Sequence, residues 1–312
     1  MDSVAVSVEE KLREKIRGKT ARVGIVGLGY VGLPLAVEFA RAGLSVTGID
    51  VIARKVEQLN AGVSYVQDVP TEVFRPFVEK GLFKATTDFS VIAELDTVNI
   101  AVPTPLRKTK DPDMSFVVSA AQEIAKYAHP GLLIILESTT YPGTTDELLL
   151  PMFEERGLKV GRDIFLCFSP ERVDPGNPKY QTINIPKVVG GITPACTELG
   201  ALFYAQALET VVPVSSTTVA EMVKELYQAR TQRRRGIEPR ISRRGSFVFL
   251  RAVTNVLLRD LNTALVAQAM LRWTASRSQA LACSFEKSSG TLSVSSRANQ
   301  ALKPAASISR MS

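Results

Sequence analysis

Cysteine and histidine are scarce in this sequence: three Cys (Cys167, Cys196 and Cys283) are scattered along 312 residues, with one His, His129. That scatter offers neither a disulfide framework nor metal-ligand spacing, so no metal site is expected and a reducing, cytoplasmic setting fits best. No apolar core of signal-peptide length opens the chain, since MDSVAVSVEEKLREKIRGKT is charged and helical in period. Residues 1–20 therefore read as a short exposed helix. One later stretch, FVFLRAVTNVLLRDLNTALVAQAML (247–271), is long enough to span a membrane but holds Arg251, Arg259 and Asp260. Its polar residues recur at helical steps opposite Leu250, Val253, Leu257, Leu261 and Leu265, the pattern of an amphipathic helix at a surface.

Acids are nearly missing from the last quarter. From Arg230 onward 13 Arg and 2 Lys face only Glu238, Asp260 and Glu286, so the net charge of +7 divides into +12 there and −5 before it. Such asymmetry marks either a tail for nucleic acid or anionic lipid, or two segments that did not evolve together.

What is present is a nucleotide-binding pattern. ARVGIVGLGYVGLPLAVEFARAGLSVTGID reads as strand, glycine turn, a helix with Leu35, Phe39 and Ala42 on one side, and a second strand ending in Asp50. Gly27 permits the tight turn, Gly29 lets backbone amides approach a pyrophosphate, and Gly32 lets the helix pack close to the strand. The helix start supplies amides and a favourable dipole to the phosphates. Asp50 stands where a carboxylate accepts both ribose hydroxyls of NAD and repels the 2′-phosphate of NADP, although the neighbouring Arg54 suits a phosphate. Lys55 falls one turn into the next helix, beside the adenosine.

The alternation continues. Helices are expected at about 71–80, 115–128, 145–156 and 194–207, with strands in TVNIAVPTP, GLLIILEST, DIFLCFSP, KVVGG and TVVPV. Near-continuous apolar strands between amphipathic helices predict an α/β fold, a doubly wound parallel sheet covered on both faces and Rossmann-like over residues 21–213. Ligands of such sheets bind at the carboxyl ends of the strands. Three polar clusters are predicted there: Pro103-Thr104-Pro105, Glu137-Ser138-Thr139-Thr140 and Ser169-Pro170-Glu171-Arg172. Singly, each is explained as a loop cap; together on one edge they favour a site. Cys167 reads as a buried core residue and His129 as a cap.

The stretches VGIVGLGYVGLPLA, VPTPLRKTKDPDMSFV, ESTTYPGTT, FSPERVDPGNP, PKVVGG and VPVSSTTVAEMVK resemble the UDP-glucose/GDP-mannose dehydrogenase family, most closely its UDP-N-acetylglucosamine 6-dehydrogenase branch, over about residues 10–226. The resemblance implies a four-electron oxidation of a UDP-sugar's primary alcohol to a carboxylate with two NAD⁺, through cysteine capture of the aldehyde and hydrolysis of a thioester. It places Gly27, Gly29, Tyr30, Val31, Gly32, Asp50 and Lys55 at the adenosine and pyrophosphate, and Thr104, Ser138 and Thr139 on the nicotinamide side. Thr139 is also carried as a catalytic residue. Glu171 matches the carboxylate that activates water, and Lys224 the lysine that stabilises developing alkoxide charge. A homodimer is implied as well.

After about residue 226 the resemblance stops. The family's following asparagine is replaced by Gln228, and no Gly-His-Cys segment follows to supply the nucleophile; Cys283 lacks the flanking residues of one. Residues 214–228 thus read as the start of the family's central helix and 229–312 as an unrelated, partly disordered Arg/Ser/Ala-rich tail, from a shifted frame or a fusion. The expectation is a dehydrogenase with its catalytic half missing and its turnover impaired. Two alternatives stand beside it: an NAD-binding protein whose basic tail grips nucleic acid or anionic lipid, and activity restored by a separately encoded second half. No sequence-specific nucleic-acid binding and no membrane span are predicted.

Overall fold

The computed structural model describes residues 6–107, 112–171, 182–183 and 185–223. Lys224, Gln228, Arg172, Cys283, the amphipathic stretch 247–271 and the whole tail 229–312 lie outside the described residues.

The apolar runs form eight strands: β1 (Arg22–Val26), β2 (Ser45–Ile49), β3 (Phe83–Thr86), β4 (Thr97–Ile100), β5 (Leu133–Leu136), β6 (Phe165–Phe168), β7 (Lys187–Gly191) and β8 (Val211–Val214). They make one sheet in the order β3-β2-β1-β4-β5-β6-β7-β8, whose first six strands are parallel and follow the doubly wound dinucleotide-binding order. The central strands β4, β5 and β6 are buried on both faces, which is why they read as continuous apolar runs rather than alternations. Helices α1 (Val8–Arg17), α2 (Gly32–Arg41), α3 (Ala53–Asn60), α4 (Thr71–Glu79), α5 (Ser115–Tyr127), α6 (Leu150–Glu154) and α7 (Pro194–Tyr204) complete the α/β fold. Phe39 of α2 stacks on Phe203 of α7 with ring centroids 4.3 Å apart, a contact that joins the first βαβ unit to the later part of the fold.

Four details go beyond these expectations or refine them. The sheet is not wholly parallel, because β7 runs antiparallel to β6 (Cys167 opposite Gly191). A parallel return needs a long crossover, usually a helix, and none of the described residues between β6 and β7 is helical. Strand β3 was not expected at all; it is a four-residue edge strand, with Phe83 and Ala85 inward and Lys84 outward, too short for its period to register. The helix expected over 145–156 is a π-helical turn, Thr145–Leu149, followed by the short α6. The helix is continuous over 144–154, and Pro151, which has no N–H to donate, stands where its wider first part gives way to α6.

The N-terminal helix is also not merely exposed. Ser7 caps it by accepting from the Glu10 N–H, Glu9 and Glu10 occupy its first turn and Lys15 and Arg17 its last, as the helix dipole favours. Leu12 and Ile16, one turn apart, are 2% and 0% exposed, and α1 packs against α7. Burying such side chains contributes about 1.5–3 kcal/mol each. Lys15 adds an ion pair to the buried Asp96 at 2.6 Å, just before β4.

Candidate functional site

The glycine turn after β1 is as tight as its sequence requires. Gly27 has φ +94°, and a Cβ there would lie 2.6 Å from the Ala101 carbonyl oxygen; one on Gly32 would lie 1.9 Å from that of Gly27. A Cβ on Gly29 meets nothing within 4 Å. The space above Gly29 is therefore open while the loop beneath it is closed. Helix α2 begins at this loop with no side-chain cap and no acid in its first turn; Leu33 and Leu35 already donate back to Gly29 and Val31 and Pro34 has no N–H, so the Gly32 amide is the one left at its start for an anion. Tyr30, 59% exposed, and half-buried Val31 form the rim. These features fit a dinucleotide's pyrophosphate.

Asp50 follows β2 and is 7% exposed. Its Oδ2 accepts from the Leu28 N–H and its Oδ1 from the Ile52 N–H, both at 3.0 Å, and the Lys55 ammonium lies 3.4 Å from Oδ2. A carboxylate oxygen has two acceptor positions, so Asp50 is locked in place, with both positions of Oδ2 taken by Leu28 and Lys55, and Oδ1 keeps one for a ribose hydroxyl. Arg54 is exposed and makes no ion pair among the described residues. Sequence reasoning missed Tyr65, whose hydroxyl donates to the Leu28 carbonyl at 2.6 Å and whose ring carries Lys55 over its face, 5.6 Å from the centroid. Burial, then the Asp50 charge, pushes the Tyr65 hydroxyl pKa up and keeps it a donor.

The other predicted clusters lie further along the same edge. Ser138, buried after β5, donates its hydroxyl to the Val102 carbonyl at 2.8 Å and so fastens the end of β5 to the segment after β4. Thr104 and Thr139 are half-buried, and neither side chain has a hydrogen bond among the described residues. From Asp50 on β2 across β1, β4 and β5 to Glu171 after β6 there are four strand spacings, about 19 Å in all. That span accommodates an extended dinucleotide with a reacting group beyond its nicotinamide end.

At that far end stands a buried polar network that the sequence reading did not assemble. Glu137, fully buried, accepts at Oε1 from Asn99 Nδ2 (2.6 Å) and the Tyr204 hydroxyl (2.7 Å), and at Oε2 from Lys187 Nζ (2.7 Å). Lys187 also reaches Glu171 at 3.4 Å, and Glu171 and Lys187 line a shallow cleft with Pro170, Thr182, Ile185 and Pro186. The antiparallel direction of β7 explains the meeting, since its first residue, Lys187, lies at the edge where the parallel strands end. Burial works against the Lys187 charge, but Glu137 and Glu171 together raise its pKa above that of a free lysine. Burial and the Glu137 charge likewise raise the Tyr204 hydroxyl well above its usual value. The only sequence signal was Lys187 opening an otherwise apolar strand. Of the predicted site residues, Lys224 and Arg172 lie outside the described residues.

Cys167 is fully buried, as expected, and its thiol pKa is pushed well up by burial. His129 has one ring nitrogen 2.9 Å from the Leu95 carbonyl and the other 3.0 Å from that of Pro130, a capping role. Among the described residues no group of His, Cys, Asp and Glu could hold a metal ion, and no helix is long and apolar enough to cross a membrane.

A doubly wound sheet with a closed glycine turn, an uncapped helix start and an acid after the second strand defines a dinucleotide-binding domain. Residues 21–208 match the model of the UDP-glucose/GDP-mannose dehydrogenase family, NAD binding domain, and the chain belongs to that family. It is 35% identical over 208 residues to the UDP-N-acetyl-D-glucosamine 6-dehydrogenase of Pseudomonas aeruginosa, covering 66% of this chain and 48% of that protein. To the UDP-N-acetyl-D-mannosamine dehydrogenase of Escherichia coli (strain K12) it is 36% identical over 212 residues, 65% of this chain and 50% of the other. The crystal structure of NDP-N-acetyl-D-galactosaminuronic acid dehydrogenase from Methanosarcina mazei superposes with a TM-score of 0.65 at 36% identity, covering 72% of this chain and 50% of that one. The chain spans about half the length of the curated relatives it matches.

Proposed function

We propose that this chain serves as the NAD-binding part of a UDP-sugar 6-dehydrogenase that oxidises the C6 alcohol of a UDP-N-acetylhexosamine, UDP-N-acetylglucosamine first, to the uronate. The observation that carries the NAD assignment is Asp50, fixed at both oxygens above the glycine turn, with acceptor capacity left for a ribose and a charge that disfavours a 2′-phosphate. NAD, when bound, supplies the hydride acceptor. Gly27, Gly29 and Gly32 shape the turn for the pyrophosphate, Tyr30 and Val31 flank it, and Lys55 steadies Asp50. Thr104 and Ser138 border the nicotinamide side, where Thr139 presents its hydroxyl to the reacting centre. Glu171, held by Lys187, is the carboxylate that activates water, and Lys224 stabilises alkoxide charge.

A thiol must also capture the aldehyde. The two described cysteines are buried in the core, and no Gly-His-Cys segment occurs in the sequence. Turnover by these 312 residues alone is therefore not expected. A homodimer and a cytoplasmic setting complete the proposal. The test is NADH formation from UDP-N-acetylglucosamine and UDP-N-acetylmannosamine, by this chain alone and with a second chain carrying the family's cysteine-bearing part. NADH formed only in the mixture supports the reading; NADH formed by this chain alone overturns the assignment of impaired turnover. A cofactor preference for NADP would overturn the role given to Asp50.

A further inference from the structure

Residues 217–223, helical and placed after β8, send one acid back into the fold. Glu221 is 1% exposed. Its Oε2 accepts from the Gly143 N–H at 2.6 Å, and its Oε1 accepts from the Thr145 N–H at 3.0 Å and the Thr145 hydroxyl at 2.7 Å. All three donors belong to the segment joining β5 to α6. Gly143, with φ +96°, takes a left-handed turn there that favours glycine. A second tie runs alongside, from the Thr217 hydroxyl to the Asp146 carboxylate. The entry to this helix is itself seated on the sheet, for a Cβ on Gly190 of β7 would come within 2.1 Å of the Ser216 carbonyl oxygen.

The physical consequence is a loop pinned at both ends. Ser138 fastens its start to the Val102 carbonyl, and Glu221 fastens Gly143 and Thr145 through charge-assisted hydrogen bonds. Between the pins lie half-buried Thr139, Thr140, whose buried hydroxyl has no partner among the described residues, and Tyr141, 41% exposed. An ordinary loop cap comes from a neighbouring residue; this one comes from an element 76 to 78 residues later in the chain. A buried carboxylate on backbone amides is a costly way to hold a loop unless the loop's position matters.

We propose that Glu221 is a positioning residue for the nicotinamide end of the cofactor, holding the Thr139–Tyr141 stretch at the depth at which the nicotinamide ring lies against it. This rests on the NAD assignment above. ADP-ribose shares the adenosine and pyrophosphate of NAD but has no nicotinamide, so the pair of ligands separates the two ends of the site. The experiment is calorimetric titration of the full chain and its Glu221→Gln variant with NAD and with ADP-ribose at about pH 8.5, where the wild-type carboxyl, pushed up to about 7 by burial, is ionised. The expected result is an NAD Kd about tenfold weaker, the loss of one charge-assisted hydrogen bond, with ADP-ribose changed by less than about twofold. Thr145→Val, which removes only the hydroxyl donor, shifts NAD in the same direction by about threefold and decides the matter if the first variant does not fold. Equal weakening of both ligands, or no weakening of either, overturns the proposal and leaves the NAD assignment standing. If the unaltered chain binds neither ligand, the NAD assignment falls and takes this proposal with it.

Discussion

The two ends of the predicted cleft are built by opposite means. At the adenosine end the fixed groups lie between Gly27 and Lys55, and the partners of Asp50 are two backbone amides and a lysine five residues on. At the far end, Glu137 is met by Asn99, Lys187 and Tyr204, which lie 38, 50 and 67 residues away in sequence. The first end is a motif built within one βαβ unit, with Tyr65 and the Ala101 carbonyl packed against its turn. The second exists only once the whole sheet is assembled, and it depends on buried charge. A local turn tolerates loss of a side chain better than a buried ion network tolerates loss of a partner.

The contrast can be broken most severely at Lys187. Lys187→Met leaves Glu137 buried without its cation, which costs about 3–5 kcal/mol and lowers the melting temperature by roughly 10 °C for a domain of this size. Adding Glu137→Gln should restore much of the loss, because the uncompensated charge is then gone. A single variant that melts with the wild type would show that the pair does not carry the far end.

Glu221 gives the next effect, and its sign is fixed by its environment. Burial, with the Asp146 charge adding to it, raises its pKa to about 7 from 4.5, against the opposing hydrogen bonds from Thr145 and Gly143. A folded-state pKa above the unfolded one favours the protonated native form. That contribution is complete below about pH 4.5 and is lost as pH rises through about 7, a total of about 3 kcal/mol. Denaturant melts of wild type and Glu221→Gln across that window should therefore converge at low pH and separate at high pH, with the variant relatively more stable. Parallel curves would contradict the raised pKa.

The smallest structural effect belongs to the glycine turn. Gly29→Ala puts a Cβ into open space, so the fold should be unaffected to within about 0.5 kcal/mol. NAD affinity should nevertheless fall at least about tenfold, because the pyrophosphate needs that space. Calorimetry beside a thermal melt separates the two readouts.

This difference in construction also explains what could be read from the sequence. The β1–α2–β2 unit was legible to within a residue or so at each end, since glycines at fixed offsets, an amphipathic helix and an acid just past the second strand are all local signals. The strands β4, β5 and β6 were legible as apolar runs. The direction of β7 was not, because a strand's pattern is the same read either way; with it went the meeting of Lys187 with Glu137 and Glu171. Glu171 was singled out by motif, and its partner was not. Tyr65 and Glu221 gave no signal, for each acts on backbone groups far along the chain. The α1 face of Leu12 and Ile16 was present as an i, i+4 pair, yet the surrounding charge made the helix read as solvated.

The central claim is that the closed glycine turn and the fixed Asp50 make a site for NAD rather than NADP. The direct measurement is a calorimetric titration of the full chain with each dinucleotide. One NAD per chain, bound at least about tenfold more tightly than NADP, is the predicted result. Equal affinity for the two, or no binding of NAD to the folded chain, would contradict it.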